Sequence, residues 1–241
     1  MSKIFITGSS DGIGLETARQ LVSLGHEVVF HAKDKQRAMQ IKAYFKIDVK
    51  ILIADLNNLD ETKILADELN LLGGFDTIIH NAGVLNEDKK TIFKVNVLAP
   101  FVLTALISKP KQVLYIGSNM HPQGDIDLEM LKIDQAVDYS TSKLMILMLG
   151  LAASRVLKDT RFNIVDPGWV KTKMANYNAP DSLEDGSKTQ VWLASNEELT
   201  FNGKYFYHLQ ETKYSSKADD INLQDNLIKF YEEISGVDLI N

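Results

Sequence analysis

Tyr139 and Lys143 stand four residues apart in Tyr139-Ser140-Thr141-Ser142-Lys143, at the start of a long apolar helix candidate. At that spacing two side chains project from one helical face, so an ammonium can act on a phenol. An unperturbed tyrosine has a pKa of about 10. A fixed positive charge favours the phenolate and brings the group into range for proton transfer near neutral pH. The same spacing also arises by chance, as a half-buried tyrosine beside a solvated lysine, so the pair gains meaning only from its surroundings.

Short β-rich runs alternate with longer helical ones along the chain. Strands are predicted at 3–7, 27–32, 49–54, 76–80, 112–117, 161–165 and 204–207. Helices are predicted at 13–24, 35–45, 59–72, 90–107, 139–158 and 182–195, with a last one from about 223 to 235. Several strands are near-continuous apolar runs, such as Val28-Val29-Phe30 and Val113-Leu114-Tyr115-Ile116, as expected when both sheet faces are covered. Repeated βα units predict an α/β fold: one Rossmann-like, doubly wound domain over residues 1–241, with a seven-stranded parallel sheet and helices on both faces.

The first strand runs straight into Thr7-Gly8-Ser9-Ser10-Asp11-Gly12-Ile13-Gly14, which opens an amphipathic helix. Glycines there permit a tight turn, let a pyrophosphate approach the backbone and let the helix pack close to the sheet. The helix N-terminus adds free N–H groups for the anion. The net charge of -6 argues against a nucleic-acid partner, and with no cysteine there is neither a disulfide nor a zinc-thiolate site. No metal site is expected. The longest apolar run, 144–153, is too short to span a bilayer, and the N-terminus is unlike a signal peptide, so a cytoplasmic protein without a membrane partner is expected.

The order Thr-Gly-x-x-x-Gly-x-Gly resembles the fingerprint of classical short-chain dehydrogenases/reductases, and the resemblance continues in order along the chain. It implies a dinucleotide cradle at Gly8, Ser10, Gly12, Ile13 and Gly14, with Asp55 and Leu56 at the adenine. Asn81-Ala82-Gly83 matches the segment that lines the cofactor cleft, with His80 where a further asparagine is usual; His80 itself reads as a locally bonded strand-end residue. Asn96 matches the helix asparagine credited with a local kink and a relay water, and Ser118 the substrate-binding serine. Pro167 and Val170 of the Pro167-Gly168 segment are implied to face the nicotinamide, and Thr172 to bind its carboxamide or the phosphates. The resemblance assigns Tyr139 as general acid/base, and Lys143 to lower its pKa and bind the nicotinamide ribose. Gly124-Asp125-Ile126-Asp127-Leu128-Glu129 and Asn202-Gly203-Lys204-Tyr205-Phe206 resemble the branch holding retinol dehydrogenases and WW-domain oxidoreductases.

An acid at the end of the second strand binds the ribose hydroxyls of NAD, whereas a base neutralises the extra phosphate of NADP. Phe30-His31-Ala32-Lys33-Asp34 offers Lys33 and no acid at the strand's end, which favours NADP(H) over NAD(H). Asp34 could still turn toward the ribose. The expected activity is reversible hydride transfer between nicotinamide and a small carbonyl/alcohol substrate. The alternatives are a non-catalytic NADP-binding sensor or scaffold, a nucleotide-sugar epimerase or dehydratase, and an interaction module that binds no nicotinamide. The stretch 144–153, apolar all round, leads to the expectation of a homodimer or homotetramer.

Overall fold

The computed structural model describes residues 1–240. The seven expected strands form as β1 (Lys3–Ile6), β2 (Glu27–Ala32), β3 (Lys50–Ile53), β4 (Thr77–His80), β5 (Gln112–Ile116), β6 (Arg161–Asp166) and β7 (Lys204–Tyr207). They are parallel throughout and lie in the order β3-β2-β1-β4-β5-β6-β7. An eighth strand, β8 (Gln210–Glu211), pairs antiparallel with β7, one more than the sequence suggested. Its hairpin turns through His208 and Leu209, both left-handed at φ 47° and 65°. Neither is the glycine or asparagine that usually signals such a turn, which is why the strand escaped notice.

The helices are α1 (Gly12–Ser23), α2 (Lys35–Phe45), α3 (Leu59–Leu71), α4 (Lys89–Phe93), α5 (Ala99–Leu106), α6 (Leu128–Asp134), α7 (Tyr139–Val156), α8 (Leu183–Ser195) and α9 (Ile221–Ser235). Alternate strand residues feed two cores. Ile4, Ile6 and Phe30 pack with Leu21, Ile41 and Leu193 of α1, α2 and α8. Phe5, Val29 and Ile78 pack with α3, α5, α7 and α9 on the other face. The unexpected helix is α6, whose N-cap Asp127 accepts from the amides of Glu129 and Met130.

Three features position the site. First, the strand order reverses between β1 and β4, which opens a crevice at their carboxyl ends. The Thr7 hydroxyl oxygen spans it, accepting from the amides of Asn81 (2.9 Å) and Ala82 (3.0 Å). Second, the helix expected over 90–107 is broken into α4 and α5 by a π-helical turn, Lys94–Leu98, centred on Asn96. Such turns recur at functional sites. Third, α7 carries Tyr139 as its first residue, capped by Asp138, which accepts from the Thr141 amide at 2.8 Å.

The apolar stretch of α7 is buried within its own chain. Leu144–Leu149 are all at most 2% exposed. The sheet covers one side, and α9 covers another with Leu227, Phe230 and Tyr231. Each such side chain contributes about 1.5–3 kcal/mol when fully buried. The apolar run of α7 thus speaks neither for nor against the expected homodimer or homotetramer, because hydrophobicity all round states that a helix is covered, not by whom. No single helix among the described residues is long and apolar enough to cross a membrane.

Candidate active site

A cleft of about 430 Å³ opens over the β1–β4 reversal. Gly8, Ser10, Gly12, Ile13 and Gly14 line one side, and Asn81, Ala82 and Gly83 face them. Lys33, Asp55 and Leu56 stand at one end, and Thr172 closes over the glycine turn. Bare backbone is needed here. A Cβ on Gly14 would lie 2.3 Å from Asn81 Nδ2 and 2.5 Å from the Gly8 carbonyl oxygen. Gly8 sits at φ +64°, and its Cβ would fall 2.9 Å from the Ala82 Cα. A glycine turn opening a helix beside a crevice of this size fits a dinucleotide.

Not every expected cofactor contact lies on that wall. Pro167, Gly168 and Val170 do not line the cleft. Pro167 and Val170 are buried, and Val170 packs so tightly on α8 that a Cβ on Gly186 would meet it at 2.4 Å. Gly168 turns with φ +84°, and the next amide, Trp169 N–H, donates to Asp181 at 2.9 Å. The segment is therefore pinned from behind, and Thr172 is its member that reaches the cleft.

Asn96, Ser118, Tyr139 and Lys143 do not line the cleft either; Asn96 and Lys143 abut its wall at Gly83. A Cβ on Gly83 would lie 3.5 Å from Asn96 Oδ1 and 3.7 Å from Lys143 Nζ. Asn96 Oδ1 accepts from the Val84 amide (2.8 Å), and Nδ2 donates to the Val84 carbonyl (2.9 Å) and Ser142 Oγ (3.0 Å). Both its N–H groups are taken, so the side chain braces the β4 loop against α7 rather than presenting a donor to a water. Lys143, 5% exposed, donates to the Ile116 carbonyl at 2.8 Å, and its Nζ lies 5.4 Å from the Tyr139 ring centroid.

The charge balance differs from the simple expectation that Lys143 lowers the Tyr139 pKa. Burial pushes the phenol up to about 12; Ser118 pulls it back by hydrogen bonding, while the Asp166 carboxylate adds to the rise. Burial draws Lys143 down to about 8 against the supporting field of Asp166. Removing a charge from water costs more here than the ammonium returns, because that ammonium is aimed at Ile116 rather than at the phenol oxygen.

Other residues of the site carry no motif of their own. His31 is buried and bridges the Gly8 amide, which donates to Nδ1 at 2.9 Å, and the Ala54 carbonyl, 3.0 Å from Nε2. Burial lowers its pKa to about 4, so it stays neutral and braces the glycine turn. Arg37 and Lys173 join Lys33 on the wall, and Lys173 donates to Asp11 at 2.6 Å. Arg37 lies 3.8 Å from the same carboxylate. Asp34 does not turn toward the ribose position; it caps α2, accepting from the Arg37 amide at 2.8 Å. Arg37 falls one helical turn beyond Lys33, a spacing that could have marked it. His80 bonds Thr104 at 3.1 Å and stacks on Tyr115, as a locally bonded strand-end residue should.

The chain as a whole is similar to known proteins. A profile described as short chain dehydrogenase matches residues 2–182. A short-chain dehydrogenase of Penicillium rubens is 36% identical, with 99% of each chain covered. Retinol dehydrogenase 14 of Homo sapiens is 25% identical, covering 97% of this chain and 86% of that one. An uncharacterised Mycobacterium paratuberculosis protein superposes with a TM-score of 0.85 at 23% identity, covering 100% of this chain and 96% of the other. A short chain dehydrogenase from Burkholderia cenocepacia, solved with NADP, gives 0.68 at 19% identity over 86% of this chain and 95% of its own.

Proposed function

The chain belongs to the short-chain dehydrogenase family, and on that premise we propose that it is an oxidoreductase moving hydride between a nicotinamide cofactor and a small carbonyl or alcohol. The observation that carries the reading is the cluster of Ser118, Tyr139, Lys143 and Asn96, whose Lys143 and Asn96 abut Gly83 on the wall of the glycine-lined cleft. A bound nicotinamide would supply or accept the hydride. The rest is done by the protein's own side chains.

Ser118 holds the substrate oxygen beside the Tyr139 phenol. In reduction Tyr139 gives its proton to that oxygen as negative charge develops there; in oxidation it removes the proton. A phenol kept at about 12 is fully protonated at neutral pH, which suits the acid role. The Lys143 ammonium, still mostly charged at pH 7, stabilises the phenolate left behind. Asn96 fixes the distance between α7 and the β4 loop. A non-catalytic sensor would need none of these groups held together.

We place NADP(H) ahead of NAD(H). Lys33 and Arg37 line the end of the cleft beyond β2, and Asp34, the acid that follows Lys33, is committed to capping α2. Lys33 also lies 3.4 Å from Asp55, a surface pair worth about 0–1 kcal/mol, which a phosphate can displace. A ligand that binds only the folded state raises Tm with its concentration. NADP should therefore raise Tm more than NAD at equal concentration, and Lys33→Ala with Arg37→Ala should abolish the difference. An equal shift by both dinucleotides in the unaltered protein would refute the preference.

A further inference from the structure

Behind Ser118 lies a buried polar chain that no motif marks. Asp166, the last residue of β6, is 4% exposed, and both carboxylate oxygens are engaged. Oδ1 accepts from the Gly168 amide at 2.9 Å, and Oδ2 from the Tyr205 hydroxyl at 3.3 Å. The Tyr205 hydroxyl also lies 3.4 Å from His121 Nδ1, with the two ring centroids 5.2 Å apart. The Ser215 amide donates to His121 Nε2 at 2.9 Å, so the ring proton sits on Nδ1, which donates to the Ser118 carbonyl at 2.7 Å. One chain of contacts thus joins Gly168, in the Pro-Gly segment, to Ser118, at the proposed substrate oxygen.

The register brings the same carboxylate to the proton-handling groups. Ile116 pairs with Val165 across β5 and β6, so Asp166 stands one step beyond the carbonyl that receives Lys143. The charged and titratable groups facing Asp166 are Tyr139 and Lys143 from α7, His121 from the segment after β5, and Tyr205 and Tyr207 from β7. A buried carboxylate that accepts two hydrogen bonds but has no salt-bridge partner among the described residues is costly to keep, and burial raises the Asp166 pKa accordingly. It has a use here as the anion opposite a desolvated ammonium.

We propose that Asp166 is a positioning residue of the reaction centre, which ties the Pro-Gly segment to Ser118 through Tyr205 and His121 and supplies the buried negative charge that faces Tyr139 and Lys143. The proposal rests on the oxidoreductase reading above. Its electrostatic consequence has a definite sign. The carboxylate favours the protonated forms of both Tyr139 and Lys143, the forms needed for reduction. Removing it makes both lose their protons at lower pH.

The test compares Asp166→Asn and Tyr205→Phe with the unaltered holoenzyme in carbonyl reduction across pH. Asp166→Asn should move the alkaline limb of kcat to lower pH by about one unit, a roughly fivefold loss at the former midpoint. Tyr205→Phe keeps the ring and the carboxylate, so it should leave the limb in place and lower kcat about fivefold, the worth of one hydrogen bond. A second arm needs no turnover: NMR of lysine carrying ¹³C at Cε, with the Lys143 signal assigned by its loss in Lys143→Arg. Its midpoint should fall in Asp166→Asn. An unmoved limb, an unmoved Lys143 midpoint or a fully active Tyr205→Phe would overturn the proposal. A protein without turnover would overturn the oxidoreductase reading instead, and the Lys143 midpoint would still decide the role of Asp166.

Discussion

Tyr139→Phe is expected to lose about 10²–10⁴-fold in turnover of a carbonyl substrate, the usual contribution of a positioned acid or base, while nicotinamide binding survives. Phenylalanine keeps the ring that lies 5.4 Å from Lys143 Nζ and removes only the hydroxyl that carries the transferable proton. The fold should not suffer, since the phenol makes no bond that the packing of α7 requires: Asp138 caps the helix, and Leu144–Leu149 hold it in the core. The check is steady-state turnover beside a cofactor titration monitored by fluorescence. Losing binding and turnover together would place Tyr139 in the cofactor site alone. Retaining both would remove it from the chemistry.

Gly14→Ala should be the most damaging single methyl group in the cofactor cleft. Its Cβ would overlap Asn81 Nδ2 at 2.3 Å and the Gly8 carbonyl at 2.5 Å, and neither atom is free to move. Asn81 Nδ2 donates to the Thr7 and Gly8 carbonyls, bonds that hold the turn against the β4 loop. Overpacking costs about 1–3 kcal/mol, and an unsatisfied buried polar group about as much again. A total of about 2–6 kcal/mol corresponds to roughly 4–24 °C in Tm for a chain of this size. Because the displaced backbone is the wall of the cleft, Tm should also stop responding to added cofactor. Calorimetry with and without NADP checks both; an unchanged Tm that still rises with cofactor would mean that helix and turn are looser than the contacts imply.

Much of this was legible in the sequence because the signals were local. Apolar runs bounded by glycines gave the seven strands, and order along the chain linked Gly14, Asn81, Asn96 and Tyr139. What escaped depended on contacts far apart in sequence. Asp166, Tyr205 and His121 come from three segments, and nothing in any of them marks a partner. In sequence His31 is an ordinary strand residue; only the fold brings its ring to the Gly8 amide. Spacing put Lys143 on the same face as Tyr139 but could not say that its ammonium would turn to Ile116. Nor could the apolar face of α7 reveal that α9, some 70 residues on, would cover it.

The most direct measurement follows the hydride itself. Reduced NADP carrying deuterium at the transferable position of the nicotinamide is supplied with a panel of aldehydes and ketones, and the alcohol products are examined by mass spectrometry and NMR. The account predicts one deuterium on the carbinol carbon, formed by the unaltered protein and strongly reduced in Tyr139→Phe. Consumption of the cofactor without label on that carbon, or equal labelling by the two proteins, would contradict it.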